Sequence, residues 1–164
     1  MQVLVHPDGR LVLRGLVFRT ALGRAGVRRD KVEGDGATPA GTLPLRRVLY
    51  RADRVSVPAC AVPVEPLAPN DGWCDDASEA DYNRMIRLPH DGHYEGLWRQ
   101  DGLYDLIGVL GWNDAPVQRG RGSAIFLHVA RADYAPTEGC IALAMDDLRQ
   151  VLSAGVSEVV VLSG

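Results

Sequence analysis

The chain has 164 residues, of which 46% are hydrophobic and 24% charged, and its formal net charge is −3 at pH 7. This length fits one domain of roughly 150 residues, and we expect a single domain over residues 1–164. The slightly acidic balance excludes the basic excess that is typical of nucleic-acid-binding domains. No stretch approaches the ~18 consecutive apolar residues that a membrane span requires.

Short apolar runs between Gly/Pro turns dominate the chain and predict a mainly β (α+β) fold. Residues 3–5 and 11–13 flank a Pro-Asp-Gly turn and predict a hairpin. Further strands are predicted at 15–22, 42–50, 85–88, 103–110, 124–128 and 159–162. Residues 51–80 are rich in proline and acidic side chains and show poor periodicity, so they predict a long surface excursion.

One helix is predicted over residues 146–154, because Leu148, Val151 and Leu152 form an i, i+3, i+4 apolar stripe. Two aspartates at its start suit the positive end of the helix dipole. Gly155 is a typical residue at which such a helix ends.

The N-terminal residues 1–9 have no basic segment and no long apolar run, so they do not predict a secretory signal. The three cysteines leave at least one thiol free because their number is odd. A disulfide between Cys60 and Cys74 is compatible with the sequence, but a core of this size does not need one.

Cys140 is the strongest candidate for a catalytic residue. A cysteine attacks as its thiolate, and because a free thiol has a pKa near ~8.5, it needs a base beside it. His128 ends an apolar run upstream, and residues 129–139 are long enough to double back and bring it to the thiol. Gly139 permits a backbone conformation that a side chain would obstruct. The Gly139 and Cys140 N–H groups are then predicted to face the oxyanion of an acyl-transfer reaction.

Structural roles are the alternative for these residues. A cysteine followed by Ile-Ala-Leu also fits a small buried apolar side chain, and a histidine at a strand end is often structural. His90 and His93 fit a polar turn or the edge of a substrate groove, since no third metal ligand is evident. We therefore predict no metal site and no cofactor.

Several motifs, in order, resemble the L,D-transpeptidase (YkuD-type) catalytic domains, and most closely a compact single-domain proteobacterial branch. Those domains have a histidine, a variable loop and Ser/Thr-His-Gly-Cys before an apolar residue, matched here by His128 and residues 137–141 (TEGCI). They also have Thr-Pro-x-Gly before a strand, matched by residues 38–41 (TPAG). Further similarities lie at 31–36 (KVEGDG), 73–76 (WCDD), 82–84 (YNR), 97–99 (LWR) and 122–128 (GSAIFLH).

This resemblance implies a β-sandwich of mixed strands with two or three short helices, and acyl transfer on peptidoglycan stem peptides. Cys140 would attack a donor stem carbonyl, with His128 as general base and then acid, its ring held by the Val129 carbonyl. An acceptor stem amine would resolve the acyl-enzyme. Most of the family makes 3,3-crosslinks at diaminopimelate, whereas the compact branch is associated with 1,3-crosslinks at L-Ala, which the likeness favours slightly.

The resemblance also implies contacts to the stem peptide or glycan. The candidate substrate-binding residues are Tyr82, Asn83, Arg84, Trp112, Asn113, Thr137 and Glu138. Core packing is the alternative for Trp112, and turn chemistry is the alternative for Asn113. A monomer is expected. The implied substrate places the chain in the periplasm or cell envelope, with the cytoplasm as the alternative because no signal peptide is visible.

Two residues beside the nucleophile depart from the family pattern. Glu138 replaces the usual histidine, and a carboxylate at the thiol would disfavour the thiolate. We therefore expect its side chain to point away or to pair with an arginine; the candidates are Arg84, Arg119 and Arg131. Ala142 stands where many members have Arg or Asn. Two rival functions stay open: a cell-wall cysteine hydrolase that uses the same dyad, and an inactive wall-binding domain.

Overall fold

The computed structural model describes all 164 residues and contains fourteen strands and one helix. The helix α1 spans Met145–Ser153. In chain order the strands are β1 Gln2–Val5, β2 Arg10–Leu13, β3 Leu16–Arg19, β4 Val27–Arg28, β5 Thr38–Pro39, β6 Gly41–Tyr50, β7 Val64–Pro66, β8 Asp71–Cys74, β9 Met85–Arg87, β10 Tyr94–Gly96, β11 Leu106–Leu110, β12 Phe126–Val129, β13 Ile141–Leu143 and β14 Glu158–Val161. The expectation of a mainly β fold is confirmed.

The largest sheet has nine strands in the order β13-β12-β11-β6-β14-β1-β2-β3, with β7 added beside β6. The ten-residue strand β6 joins its two halves. Residues 41–44 of β6 pair with β14, whereas residues 45–50 pair with β11. One half therefore contains the N-terminal hairpin, and the other contains the three strands that lead to the candidate nucleophile.

Alternation of side chains along β11 divides the interior into two apolar clusters. Leu106 and Leu110 belong to a cluster of 20 buried residues that includes side chains from both halves of the sheet and from α1. Ile107 and Val109 point the other way, into a cluster of 10 buried residues that includes Cys140. Trp73 of the three-stranded sheet β10-β8-β9 packs in this second cluster. Cys140 thus lies at the edge of a packed core.

The predicted helix is confirmed within one residue at each end. Leu148, Val151 and Leu152 are buried, and two aspartates occupy the first turn. Gly155 follows with a φ of +92°, a conformation that favours glycine at a helix end. The expectation of two or three helices was too high, since α1 is the single α-helix.

The N-terminal hairpin is confirmed, with Leu4 opposite Val12. The predicted surface excursion over residues 51–80 is wrong in part, because it contains β7 and β8. All four residues of β8 are buried. A strand buried on both faces shows no polar–apolar alternation, so its sequence does not reveal it. Strands β10 and β13 have three residues each and were not identified as separate strands.

Cys60, Cys74 and Cys140 are all free thiols, so the disulfide compatible with the sequence is absent. No helix has the length and apolar character that crossing a bilayer requires.

Candidate active site

Strands β12 and β13 bring His128 and Cys140 to the same side of the sheet. The two strands are parallel, with His128 opposite Ala142. Cys140 comes two residues before Ala142 and therefore faces the same side, because side chains alternate along an extended chain. Cys140 and His128 both line one cavity of about 530 Å³. The segment between them doubles back, as the sequence predicted.

The turn before the cysteine is fixed by Thr137 and Gly139. The Thr137 hydroxyl donates to the Cys140 carbonyl at 2.7 Å and accepts the Gly139 N–H at 3.1 Å. Gly139 has a φ of +145°, and a Cβ there would lie 2.8 Å from the Ala37 carbonyl oxygen. A larger residue would therefore clash with rigid backbone and be strained in this conformation. This explains why glycine precedes Cys140.

The Thr137 contact changes the predicted oxyanion site. The Gly139 N–H, which was expected to face the oxyanion, already donates to the Thr137 hydroxyl. The Cys140 N–H has no acceptor within the protein. Only one of the two predicted backbone donors is therefore available to a substrate oxygen.

The Cys140 thiol is held by backbone rather than by the imidazole. Its Sγ donates to the Ala124 carbonyl at 3.2 Å, and no hydrogen bond joins it to His128. Ala124 has a φ of +55°, and its N–H donates to the Asn83 Oδ1 at 3.1 Å. Asn83 thus holds the backbone of Ala124, whose carbonyl accepts the hydrogen bond from the Cys140 thiol.

The tautomer of His128 follows from its backbone contact. Its Nδ1 lies 2.9 Å from the Val129 carbonyl oxygen, as expected from the resemblance. A carbonyl only accepts, so Nδ1 carries the proton and Nε2 has the free lone pair. The ring also packs edge-on against Tyr104, with centroids 5.3 Å apart. These two contacts fix the orientation of the imidazole and leave the Nε2 lone pair unengaged.

Burial keeps both members of the dyad neutral. It raises the pKa of the Cys140 thiol to about 12, and the nearby Glu95 adds to this rise while Lys31 opposes it. Burial likewise lowers the pKa of His128 to about 4. Removing a charged group from water disfavours its charged form, which is a thiolate in one case and an imidazolium in the other. The site therefore holds a thiol and a neutral imidazole at pH 7.

Charged residues of both signs line the same cavity. Glu95 accepts a hydrogen bond from the Tyr104 hydroxyl, and burial raises its pKa. The cavity wall also includes the carboxylates of Glu33 and Asp75. Positive charges come from Lys31, Arg99 and Arg131. Sequence reasoning did not assign Glu95 or Lys31 to the site; the available signals were that Lys31 is the only lysine of the chain and that it begins the segment 31–36, which resembles the family pattern.

Thr137 and Glu138 are the two predicted substrate-binding residues that line this cavity. Tyr82 and Asn83 do not: both are buried, and Asn83 lines a second, separate cavity instead. The Tyr82 hydroxyl donates to Glu33 at 2.7 Å and accepts the backbone N–H of Gly122 at 2.9 Å. Their polar groups bind protein atoms, so the structure gives them a supporting role.

Arg84, Trp112 and Asn113 also lie outside the cavity of Cys140. Arg84 and Trp112 line a separate cavity of about 410 Å³. The Trp112 indole N–H donates to the Arg121 carbonyl at 3.0 Å. The Asn113 side chain donates to two backbone carbonyls within its own loop, which agrees with the alternative of turn chemistry. The structure does not bring these three residues to the thiol.

Glu138 pairs with an arginine, as one of the two expectations stated. Its side chain is 82% exposed and lies 3.1 Å from the Arg24 guanidinium. The pairing arginine is therefore Arg24 and not one of the three named from the sequence. Ala142 is 1% exposed, and its backbone pairs with Ala21.

The depressed pKa of His128 predicts a loss of stability in mild acid. Between pH 6.5 and about 4 the unfolded chain binds a proton at this imidazole that the folded chain does not. Stability is then fully present above pH 6.5 and falls as the pH drops, by up to about 3 kcal/mol for this group. Urea unfolding at pH 7 and pH 4.5 should show a smaller acid loss for His128→Gln than for the wild type. Equal losses in the two proteins would contradict the assignment.

Comparison with known proteins assigns the chain to a family. No curated protein sequence matches it. The solved structure of the helical cell shape determining protein Pgp2 from Campylobacter jejuni is similar to it at 16% identity and a TM-score of 0.48. That alignment covers 98% of this chain and 46% of the solved chain, so this chain spans under half the length of that protein. The profile of the YkuD family, described as the L,D-transpeptidase catalytic domain, matches residues 1–161. Because this match covers almost every residue, the chain belongs to the YkuD family of L,D-transpeptidase catalytic domains.

Proposed function

We propose that this chain is a peptidoglycan L,D-transpeptidase of the cell envelope, with Cys140 as its nucleophile. The observation that carries the proposal is the placement of Cys140 and His128 on one side of β12 and β13, in a shared cavity. A volume of about 530 Å³ falls within the range of small-ligand sites. Such a cavity accommodates the end of a stem peptide.

The neutral state of the dyad determines how the first step proceeds. Sγ attacks the donor carbonyl carbon while its proton passes to His128 Nε2, so the thiolate does not accumulate before attack. The new S–C bond converts the carbonyl oxygen to an oxyanion. Its collapse breaks the C–N bond, and His128 returns the proton to the leaving amine. For this, the thiol exchanges its hydrogen bond to the Ala124 carbonyl for one to Nε2, a change that apo sites commonly require.

The second step reuses the same base. The amine of an acceptor stem attacks the thioester carbonyl and gives its proton to His128. The C–S bond then breaks, and the departing sulfur takes the proton, which restores the resting thiol. The new amide is a 1,3- or 3,3-crosslink, according to the donor carbonyl that the cavity selects.

The charges of the wall support a zwitterionic stem residue as substrate. Glu33 suits an ammonium group and Arg131 suits a carboxylate. Asp75 and Arg99 are each paired within the protein, with His93 and Asp101. Diaminopimelate has both groups on one side chain. A cavity lined by one sign of charge would favour a different class of peptide.

Incubation of the purified protein with isolated sacculi, followed by muropeptide analysis, tests the proposed function. We expect new 1,3- or 3,3-crosslinked dimers with the wild type and none with Cys140→Ala, because the acyl-enzyme cannot form without the thiol. Shortened stems without dimers would identify a hydrolase. A wild-type digest identical to the untreated sacculi would contradict both activities.

A further inference from the structure

The oxyanion site described above lacks a second backbone donor. Sites that stabilise a tetrahedral intermediate usually direct at least two donors at the developing negative charge. Here the Cys140 N–H is available, but the Gly139 N–H donates to the Thr137 hydroxyl. Another positively polarised group near Gly139 would complete the site.

Lys31 lies at this position. A Cβ built on Gly139 would be 3.5 Å from the Lys31 Nζ, so the ammonium lies directly beside the turn that presents the nucleophile. Lys31 is 4% exposed and lines the same cavity as Cys140. An ammonium group has three donors, and its one hydrogen-bond partner in the protein is the Asp35 carboxylate, at 2.9 Å. Two N–H bonds of this buried cation are left without a protein acceptor.

Asp35 holds the ammonium in place. Burial alone raises the pKa of Asp35, but its hydrogen bonds to Lys31 and to the backbone of Val32 and Ala37 lower it to about 2. The carboxylate is therefore ionised at neutral pH and is itself fixed by two backbone N–H groups, each at 2.9 Å. A charge held by a second residue before substrate arrives does not need to reorganise during the reaction.

We infer that Lys31 is a catalytic residue that donates to the oxyanion, together with the Cys140 N–H. This inference rests on the acyl transfer proposed above. Lys31 stays protonated throughout and transfers no proton, which remains the task of His128. It stabilises the negative oxygen that forms when Sγ attacks, and the interaction weakens when the carbonyl is restored.

Two neutral replacements of the ion pair test this role, because a single Lys31 variant would leave Asp35 buried without its partner and endanger folding. They are Lys31→Met with Asp35→Leu, and Lys31→Gln with Asp35→Asn. The matched control is Arg46→Met with Asp114→Leu, which removes an ion pair outside the cavity of Cys140 and keeps Lys31 and Asp35. Circular dichroism and thermal unfolding establish that each variant is folded.

The rate of Cys140 acylation is measured with p-nitrophenyl acetate, a probe that has no carboxylate for Lys31 to bind. The comparison reaction is alkylation by iodoacetamide, which passes through no oxyanion. The Cys140→Ala variant gives the background rate due to the other two thiols. We expect acylation to fall about 10²-fold in the neutral pairs. The alkylation rate should fall by no more than about tenfold, which is the change in thiolate population when the thiol pKa rises by one unit. The control pair should keep the wild-type acylation rate.

Equal losses in acylation and alkylation would show that Lys31 acts only on the thiolate, and this would overturn the inference. So would an unchanged acylation rate in a folded neutral pair, or a loss in the control pair as large as that in the Lys31–Asp35 variants. If the wild type itself fails to acylate at Cys140, the proposed function fails first. If the wild type and the neutral pairs acylate at the same rate, Lys31 has no role in acylation, and the proposed function itself is unaffected.

An NMR measurement on the wild-type protein tests the same role of Lys31 without a substitution. Because Lys31 is the only lysine, selective ¹³C,¹⁵N-lysine labelling gives a single Cε–Hε signal by NMR. Acylation of Cys140 places a carbonyl oxygen beside the ammonium, so we expect this signal to shift on acylation and to shift less on alkylation. A signal that does not move on complete acylation would overturn the inference.

Discussion

A carbapenem is expected to add covalently to Cys140, one molecule per chain, and Cys140→Ala is expected to add none. The β-lactam carbonyl reacts with a thiol that has a base and an oxyanion donor beside it. Cys140 has both, because it shares its cavity with His128 and its own N–H is unengaged. Intact-protein mass spectrometry gives the stoichiometry, and peptide mapping identifies the modified residue.

Cys74 provides a matched control for this reaction. It is also a buried free thiol whose pKa is raised by burial, but it lies in β8 and does not line the cavity of Cys140. Cys74→Ala should therefore take up the carbapenem like the wild type. Absence of any adduct, combined with identical behaviour of Cys140→Ala and wild type on sacculi, would favour an inactive wall-binding domain.

His128→Ala is expected to slow acylation of Cys140 by about 10²–10⁴-fold, the range for loss of a general base. The expected effect is large because the thiol has a pKa of about 12 and cannot attack at neutral pH unless a base removes its proton. The measurement is the pseudo-first-order rate of carbapenem adduct formation at pH 7, followed by mass spectrometry.

His90 offers the control histidine for this experiment, since it packs against Tyr94 and does not line the cavity. His90→Ala should acylate at the wild-type rate. Imidazole added to His128→Ala should restore part of the rate by occupying the space of the lost ring. Unchanged kinetics in His128→Ala would exclude the imidazole as the proton acceptor.

The sequence predicted those elements of the fold whose signals are local. The hairpin followed from two apolar runs around a Pro-Asp-Gly turn, and α1 followed from the spacing of its three buried residues. Strand β8 could not be identified in the same way, because both of its faces are covered and its residues are not strongly apolar. Its partners in the three-stranded sheet come from later in the chain. Such pairing depends on contacts that the local sequence does not encode.

The residues of the candidate site also divide into those that local sequence signals predicted and those that they did not. Cys140, His128 and Gly139 were predicted from a thiol, an imidazole and a glycine at suitable positions. Tyr82 and Asn83 were assigned to the substrate because polar residues in a motif suggest contact with a ligand. In the structure their side chains form hydrogen bonds with protein atoms instead. Glu95 was missed because only the pairing of β10 with β8 brings this carboxylate to the cavity that Cys140 lines.

The burial that makes Cys140 dependent on a base also protects it chemically. Peroxide and disulfide reagents react with the thiolate, and their rates fall with the fraction of thiol that is ionised. With a pKa of about 12 and 8% of its surface exposed, Cys140 presents almost no thiolate at neutral pH. Its reaction at neutral pH therefore depends on a reagent that enters the cavity and on His128 as the base. A buried thiol of this kind resists oxidants that react quickly with an exposed cysteine of low pKa.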